Sequence, residues 1–421
     1  MVKTVALLPG VTLRCYSDSR FHQGCLSFQF LRFMDRQEAA MNALLPAVLL
    51  RGTVDYPDLR AITQKLDDLY GVSVDALVRR VGDYQTVGLY CGFVEDRFAL
   101  PGDKVLEPML DFLGQLLFEP LTEDGVFNRE FVESEKRNLI TALQTEKNDK
   151  RAYAAAQMLR KMCAADTFGI PRLGEETQVA AITPETLWQH YRKVLQQSPV
   201  EVFYVGSAPV QTVAQKIKAM LLPLCREVQS LPAQMPFRDG GGGEYTEEMN
   251  VTQGKLSMGF VTSITNRTPQ FAAMQVLNAL FGAGMTSKLF VNVREKMSLC
   301  YHIGSGYYGS KGIMTVSAGI DCDKEQAVKA EIMVQLDACK RGDITPEELS
   351  AAKEAVLSAL RGIYDSPGSI EGYFSVAAIG ELALTVEQYR QAVEQVTIAD
   401  VTAAANLLKL HTSFFLKGVQ A

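Results

Sequence analysis

Two stretches far apart in the chain repeat one pattern, and that repeat constrains the fold more than any other feature. Residues 180–206 read AAITPETLWQHYRKVLQQSPVEVFYVG, and residues 394–418 read EQVTIADVTAAANLLKLHTSFFLKG. Each runs from a hydrophobic–Thr start through an amphipathic helix and a short turn into a buried strand ending on glycine. Residues 127–144, FNREFVESEKRNLITALQ, are mirrored by residues 344–362, ITPEELSAAKEAVLSALRG, an acidic helix start followed by the same helical rhythm. A repeat this long describes two similar domains; a solenoid needs shorter units and at least three copies. The 421 residues are enough for two substantial cores.

The pattern along the chain mixes helices and strands. Strands are expected over 11–16 and 25–32, then an almost wholly apolar helix over 38–50. Leu59, Ile62, Leu66 and Leu69 recur at helical spacing. Residues 72–81 and 84–93 read as a hairpin about Gly82-Asp83. Helices follow over 105–117 and 131–144, and another carries Trp188 after the start signal Thr183-Pro184-Glu185. An apolar strand over 200–205 closes the first half. Four consecutive glycines, Gly240 to Gly243, then mark a flexible linker. No G-K-[S/T] follows them, so a phosphate-cradling loop is not indicated. The expected division is therefore a first domain over 1–236, a linker over 237–244 and a second domain over 245–421.

Composition excludes some function classes. A formal net charge of -6 argues against a nucleic-acid partner, which needs a basic footprint. No run approaches the length of a membrane span, and the first residues lack a signal-peptide core. The eight cysteines are scattered without a C-x-x-C pair, and Cys91 and Cys322 fall in strand-like runs where free thiols are the default. A reducing cytoplasm is the expected location.

The most informative stretch is 281–308, FGAGMTSKLFVNVREKMSLCYHIGSGYY. Gly282-Ala283-Gly284 is expected to close a helix. Thr286 or Ser287 can cap the next one, with Leu289, Phe290 and Val293 at helical spacing. After Arg294-Glu295-Lys296 the β-rich residues 299–303 follow, so Arg294 and Tyr301 bracket a helix-to-strand corner. A glycine turn, S-K-L-F, R-E-K and a Tyr seven residues after the Arg resemble the carboxy-terminal half of the pitrilysin/insulysin zinc peptidases, the inverzincins. The resemblance covers essentially the whole chain. It implies an α+β fold of two tandem homologous domains, each a mostly antiparallel sheet with helices on one face, closing as a clamshell half. It also implies that Arg294 holds a bound peptide and that Tyr301 helps stabilise an oxyanion.

At the family's zinc motif the chain departs. The family typically reads H-F-L-E-H-M-L-F-x-G-T on a helix, and the matching text is Ala43-Leu44-Leu45-Pro46-Ala47-Val48-Leu49-Leu50-Arg51-Gly52-Thr53. The shared Gly-Thr fixes the register. Ala43 and Ala47 stand where the family has histidines, and Pro46 stands where it has the general base. On the later helix Glu135 matches the first glutamate of E-x6-E, while the ligand position is Ala142. The family's N-A-x-T strand reads Asp75-Ala76-Leu77-Val78. Only His22, His190, His302 and His411 are present, none at a spacing that makes a helical metal site. His190 reads as a packed or surface histidine, and Glu135, Asp67 and Asp68 as solvated helix charges. His302 should face away from its neighbour Tyr301.

The resemblance therefore implies a non-catalytic subunit of a heterodimeric zinc metallopeptidase, inactive alone and holding no cofactor itself. Its partner would be a homologous zinc-bearing subunit, as in the mitochondrial processing peptidase, and its substrate a peptide or small protein added as a strand to a sheet edge. A homodimer is the other possible assembly. The alternative is a catalytically inert peptide-binding or scaffolding protein on the same fold, in which Arg294 and Tyr301 stabilise their corner. A serine hydrolase built on Ser305 or Ser310 lacks the G-x-S-x-G elbow and a histidine partner.

Overall fold

The computed structural model describes residues 2–222, 224 and 226–418. The first half of the chain runs through β1 (Val2–Leu8), β2 (Val11–Ser17), β3 (Gln23–Phe33), α1 (Ala39–Leu49) and α2 (Leu59–Asp68). The hairpin β4 (Ser73–Val81) and β5 (Tyr84–Val94) follows, then α3 (Leu106–Phe118) and the short ribbon of β6 (Thr122–Glu123) and β7 (Val126–Phe127). The half ends with α4 (Arg129–Glu146), α5 (Lys150–Met162), α6 (Glu176–Ala181), α7 (Pro184–Gln197), β8 (Val200–Gly206) and α8 (Val210–Leu221). The second half runs through β9 (Gly243–Met249), β10 (Gly254–Val261), α9 (Phe271–Asn278), β11 (His302–Tyr308) and β12 (Ile313–Ile320). Helices α10 (Glu325–Arg341), α11 (Pro346–Gly362), α12 (Pro367–Ile379), α13 (Val386–Gln395) and α14 (Ile398–Asn406) lead to β13 (Lys409–Gly418).

The repeat read from the sequence is a repeat of topology. The first sheet has the order β1-β2-β8-β3-β5-β4, and the second β11-β12-β10-β13-β9. Without β1, the first matches the second read backwards. In each, one pair is parallel, β2 with β8 and β13 with β9, and the remaining pairs are antiparallel. The helix starts repeat too. Thr183 caps α7 in a capping box with Thr186, and Thr397 caps α14 in a capping box with Asp400.

Two compact units result, and neither is a continuous stretch. One comprises residues 1–143, 170–233 and 363–379; the other comprises 144–169, 234–362 and 380–421. In the first unit Leu26, Phe28 and Phe30 of β3 join a core with Leu44 of α1, Met109 and Leu113 of α3 and Val194 of α7. On the sheet's other face, Cys25, Phe203 and Val205 pack with Ile370 of α12. That helix is also held by Glu371, whose carboxylate has no exposed surface and accepts two 2.8 Å bonds from Arg79 of β4. The second unit has the same device with α5. Here α5 packs closely on β10: a Cβ on Gly259 would lie 2.5 Å from Sδ of Met162. Each sheet thus carries one helix on its second face, drawn from the other half of the sequence. Periodicity gives no sign of this.

Three local expectations are corrected. The glycine run expected to be flexible is held: a Cβ on Gly242 would lie 2.0 Å from the His411 carbonyl oxygen, and one on Gly240 2.8 Å from Cβ of Ala165. Asp239 accepts from Gly241 N at 2.8 Å and pairs with Nε2 of His411 at 2.9 Å. The strand expected over 299–303 starts at His302, because Ser298 N and Leu299 N are still bonded to the carbonyls of Arg294 and Val293, with Ser298 at φ 50°. Cys322 lies in a short 3-10 turn beyond β12 and is partly exposed, although Cys91 is fully buried in β5. No disulfide joins the seven described cysteines; Cys225 lies outside the described residues.

Candidate functional site

The first unit holds the positions where the zinc motif would stand. Helix α1 carries Ala43 and Pro46, both buried, and Ala47, partly buried. Pro46 sits inside the helix and has no N–H to give to the carbonyl of Asn42. Ala142 lies exposed on α4. These side chains offer no nitrogen, sulfur or charged oxygen, so they do not fit zinc. Among the described residues no group of three or more His, Cys, Asp or Glu side chains could hold a metal ion.

What surrounds those positions is structural. Asn42 is wholly buried; its Nδ2 donates to Oε1 of Gln85 at 2.9 Å, and its Oδ1 meets Nε2 of His190 at 2.7 Å. The Asn42 oxygen is the acceptor, so His190 carries its proton on Nε2. Burial pushes the His190 imidazole down to about 4, and the imidazole is therefore neutral. Glu135 is not a solvated charge. It accepts from Nη1 of Arg51 at 3.0 Å, and both side chains are largely buried, with the guanidinium 5.4 Å from the Phe131 ring centre. Gly52 and Thr53 shape the exit from α1. A Cβ on Gly52 would lie 2.8 Å from the Pro57 carbonyl oxygen, and Thr53 Oγ1 accepts from Tyr56 N at 3.0 Å. The Gly-Thr signal thus reports a turn. The strand bearing Asp75 to Val78 is the outermost in its sheet, and Arg172 donates to the Val78 carbonyl at 2.9 Å.

In the second unit the stretch around Arg294 divides into structural and exposed parts. Helix α9 runs on into a π-helical turn, Ala279–Ala283, and a second π-helical segment spans Leu289–Lys296. Such segments are frequent at functional sites. Gly282 lies inside the helical run, and its missing Cβ makes room for Ser305, whose Oγ would be 2.7 Å away. Ser287 caps the next segment, its Oγ accepting from Phe290 N at 3.3 Å. Lys288 is buried and donates to both oxygens of Glu348 at 2.9 Å, and Leu289 and Val293 are fully buried. The S-K-L of the motif is therefore cap, ion pair and core.

Arg294 and Tyr301 are left with exposed chemistry. The Arg294 guanidinium lies 4.7 Å from the Phe290 ring centre, and its nearest carboxylate, Glu295, is 3.6 Å away. Tyr301 is 57% exposed and donates its hydroxyl to Oδ1 of Asp321 at 3.0 Å. That bond holds the phenol above its ordinary range and, with Lys324 as the larger cause, the Asp321 carboxyl below its own. Arg294 and Tyr301 share no hydrogen bond or ion pair among the described residues. The Arg294 charge acts instead on His302. Burial, then Arg151, Arg294 and Lys255, hold that imidazole below its usual value. Arg151 Nη1 lies 3.1 Å from His302 Nε2. Neither Arg151 nor Lys255 was singled out in the sequence, because each meets His302 only through the fold. Ser305 donates to Oδ1 of Asn278 at 2.8 Å and has no histidine partner among the described residues.

Known proteins resemble the chain in sequence and in fold. Residues 181–356 match the peptidase M16 inactive domain. Across 411 residues, 98% of this chain and 96% of the relative, the sequence is 29% identical to YmfF of Bacillus subtilis, described as a probable inactive metalloprotease. The fold superposes with a TM-score of 0.92 on a conserved protein from Enterococcus faecalis, at 26% identity, over 100% of this chain and 99% of that one. A peptidase M16 inactive domain from Pseudomonas fluorescens gives a TM-score of 0.81 at 16% identity over 100% and 99%, a likeness of fold. No helix among the described residues is long and apolar enough to cross a membrane. In sequence and fold the chain is thus similar to M16 peptidases of the pitrilysin/insulysin type, and over nearly its whole length to a relative described as a probable inactive metalloprotease.

Proposed function

We propose that this chain is the non-catalytic subunit of a two-chain zinc peptidase and lends peptide grip and transition-state stabilisation to a zinc-bearing homologue. The observation that carries this reading is an asymmetry. The metal positions Ala43, Pro46, Ala47 and Ala142 offer no donors, whereas the second unit keeps a partly exposed Arg294 within a π-helical segment and an exposed Tyr301 just beyond it. A scaffold alone gives no reason to leave a phenol more than half exposed at a corner its neighbours already build. The partner's zinc would supply the activated water; this chain's residues bind and orient. Arg294, with an aromatic ring under one side and only a long contact to Glu295, is available to a peptide carbonyl. Tyr301 can serve an oxyanion once its hydroxyl is released by Asp321. β11, the outermost strand of its sheet, begins beside both residues and offers an edge to an extended peptide. The free cysteines suit a reducing compartment.

The test is to purify the tagged chain from its own cells, identify the proteins that accompany it and count zinc. A similar-sized partner bearing H-x-x-E-H, with about one zinc per pair, is expected. Arg294→Ala combined with Tyr301→Phe should cut peptide turnover of that pair by roughly 100-fold or more without loss of assembly. Undiminished turnover refutes the role. The Tyr301–Asp321 bond favours one second reading, a structural corner in an inert peptide-holding protein or homodimer. That reading expects the double variant to lower the melting temperature and leave peptide binding unchanged.

A further inference from the structure

The second sheet carries a row of three residues that the first sheet carries in neutral form. Lys255 of β10 pairs with Gly319 of β12, and Gly319 pairs with His302 of β11, so the three lie side by side across the sheet. Residues directly opposite in register share a face. Arg151, in the first turn of α5, reaches the same row at His302. The equivalent strand of the first sheet has the same signature. Gly24-Cys25-Leu26-Ser27-Phe28-Gln29-Phe30 parallels Gly254-Lys255-Leu256-Ser257-Met258-Gly259-Phe260. Cys25 there pairs with Gly92, and Gly92 with Ser73. Ser366 caps α12 as Asp149 caps α5, which puts Gly368 in the place of Arg151. The fold therefore builds this row from Cys25, Gly92, Ser73 and Gly368 in one unit. In the other, three of the four places hold Lys255, His302 and Arg151.

Those added groups lack a direct ion-pair partner among the described residues. No ion pair joins Arg151 or Lys255 to a carboxylate among the described residues, and the Lys255 ammonium donates only to Oε1 of Gln253, at 3.1 Å. The nearby acids are otherwise engaged: Asp149, on whose carboxylate Arg151 and Lys255 act, has its Oδ1 committed to Arg151 N and Ala152 N at 3.0 Å as the helix cap, and Glu247, further along the same row, accepts from the Tyr153 hydroxyl at 2.8 Å. Arg294 adds further positive charge. Arg151 donates to His302 Nε2, so the imidazole is neutral with its proton on Nδ1. Gly319 leaves the centre of the row without a side chain: it is buried, and a Cβ there would stand 3.5 Å from Nζ of Lys255, an ordinary contact distance, with no positive φ to forbid one. One row along, Ser257 is 1% exposed and its hydroxyl has no partner among the described residues. Cations gathered about an empty glycine cost stability through mutual repulsion unless an anion joins them.

We infer that Lys255, His302 and Arg151 form a cradle over Gly319 for a carboxylate of a bound peptide, either an acidic side chain or the carboxy-terminal group. The inference rests on the peptide-holding reading and gives it a substrate class, acidic peptides. A planar carboxylate suits the forked guanidinium of Arg151 on one side and the Lys255 ammonium on the other. With the anion in place His302 gains a reason to be protonated, so binding takes up a proton.

The full-length chain has only four histidines, so His302 can be followed by NMR and assigned with His302→Gln. Three peptides serve as probes: amidated Ac-Ala-Ala-Glu-Ala-Ala, the same peptide with Gln for Glu, and the Gln peptide with a free carboxy terminus. A carboxylate peptide should raise the His302 titration midpoint by about one unit, a tenfold change in proton affinity. Lys255→Gln with Arg151→Gln, and separately Gly319→Val, should abolish that shift while far-UV spectra and melting stay as in the wild type. Which carboxylate peptide acts identifies the source of the anion. If the amidated Gln peptide binds as tightly as either carboxylate peptide, the cradle is refuted and the peptide-holding reading stands. If the charge variants keep the shift, or inorganic phosphate alone binds as tightly as the peptides, the assignment is also overturned.

Discussion

His190 should make the first unit's stability depend on pH in a way that one substitution removes. The side chain is 4% exposed, and its Nε2–H is given to Asn42, whose own amide is held by Gln85. Burial is the largest cause of its depressed pKa. Glu38 opposes the shift, and Arg32 and Lys193 add to it. The value falls from 6.5 to about 4. The folded imidazole therefore binds a proton less readily than the unfolded one, and between these limits the unfolded chain carries more protons. Stability is complete above the unfolded value and is lost as pH falls toward the folded value. At about 1.4 kcal/mol per unit, the loss between pH 7 and pH 4 is about 3 kcal/mol. The chain's single tryptophan, Trp188, lies two residues away on α7 with its ring 5.1 Å from that of Phe127, so its fluorescence reports this unit. Urea titrations followed at Trp188 should show the loss in the wild type. His190→Gln keeps a donor for Asn42 and should show a slope smaller by that amount. Equal slopes in the two proteins would refute a buried neutral imidazole.

Two further perturbations test the packing. Lys311 and Asp166 form an ion pair at 3.0 Å with no exposed surface on either side chain, and Asp166 also accepts from Phe168 N and Arg238 N. Lys311→Met should cost about 3–5 kcal/mol by leaving a buried carboxylate uncompensated, and adding Asp166→Asn should recover most of it; melts followed by circular dichroism decide. A Cβ on Gly88 would fall 1.8 Å from the Phe28 carbonyl oxygen, whereas one on Gly92 meets only the Ser73 hydroxyl at 2.9 Å. Gly88→Ala should abolish soluble expression and Gly92→Ala should not.

The sequence by itself determined the repeat, the class of fold and most element positions, because hydrophobic period and capping chemistry are local. Thr183 and Thr397 act as caps through atoms three residues away, and the hairpin about Gly82-Asp83 needs only the positive φ of Gly82. The missing metal donors were equally legible, since Ala43, Pro46 and Ala47 offer nothing whatever surrounds them. Tertiary structure alone decided which charges are solvated and which are held. Glu135 and Arg51 are 84 residues apart, and their pairing depends on how α4 meets the end of α1. The exchange of α5 and α12 between the units left no mark on either helix's own pattern. The gathering of Lys255, His302 and Arg151 has the same cause. Strand register and helix docking bring together residues up to 151 positions apart, and no spacing along the chain records that distance.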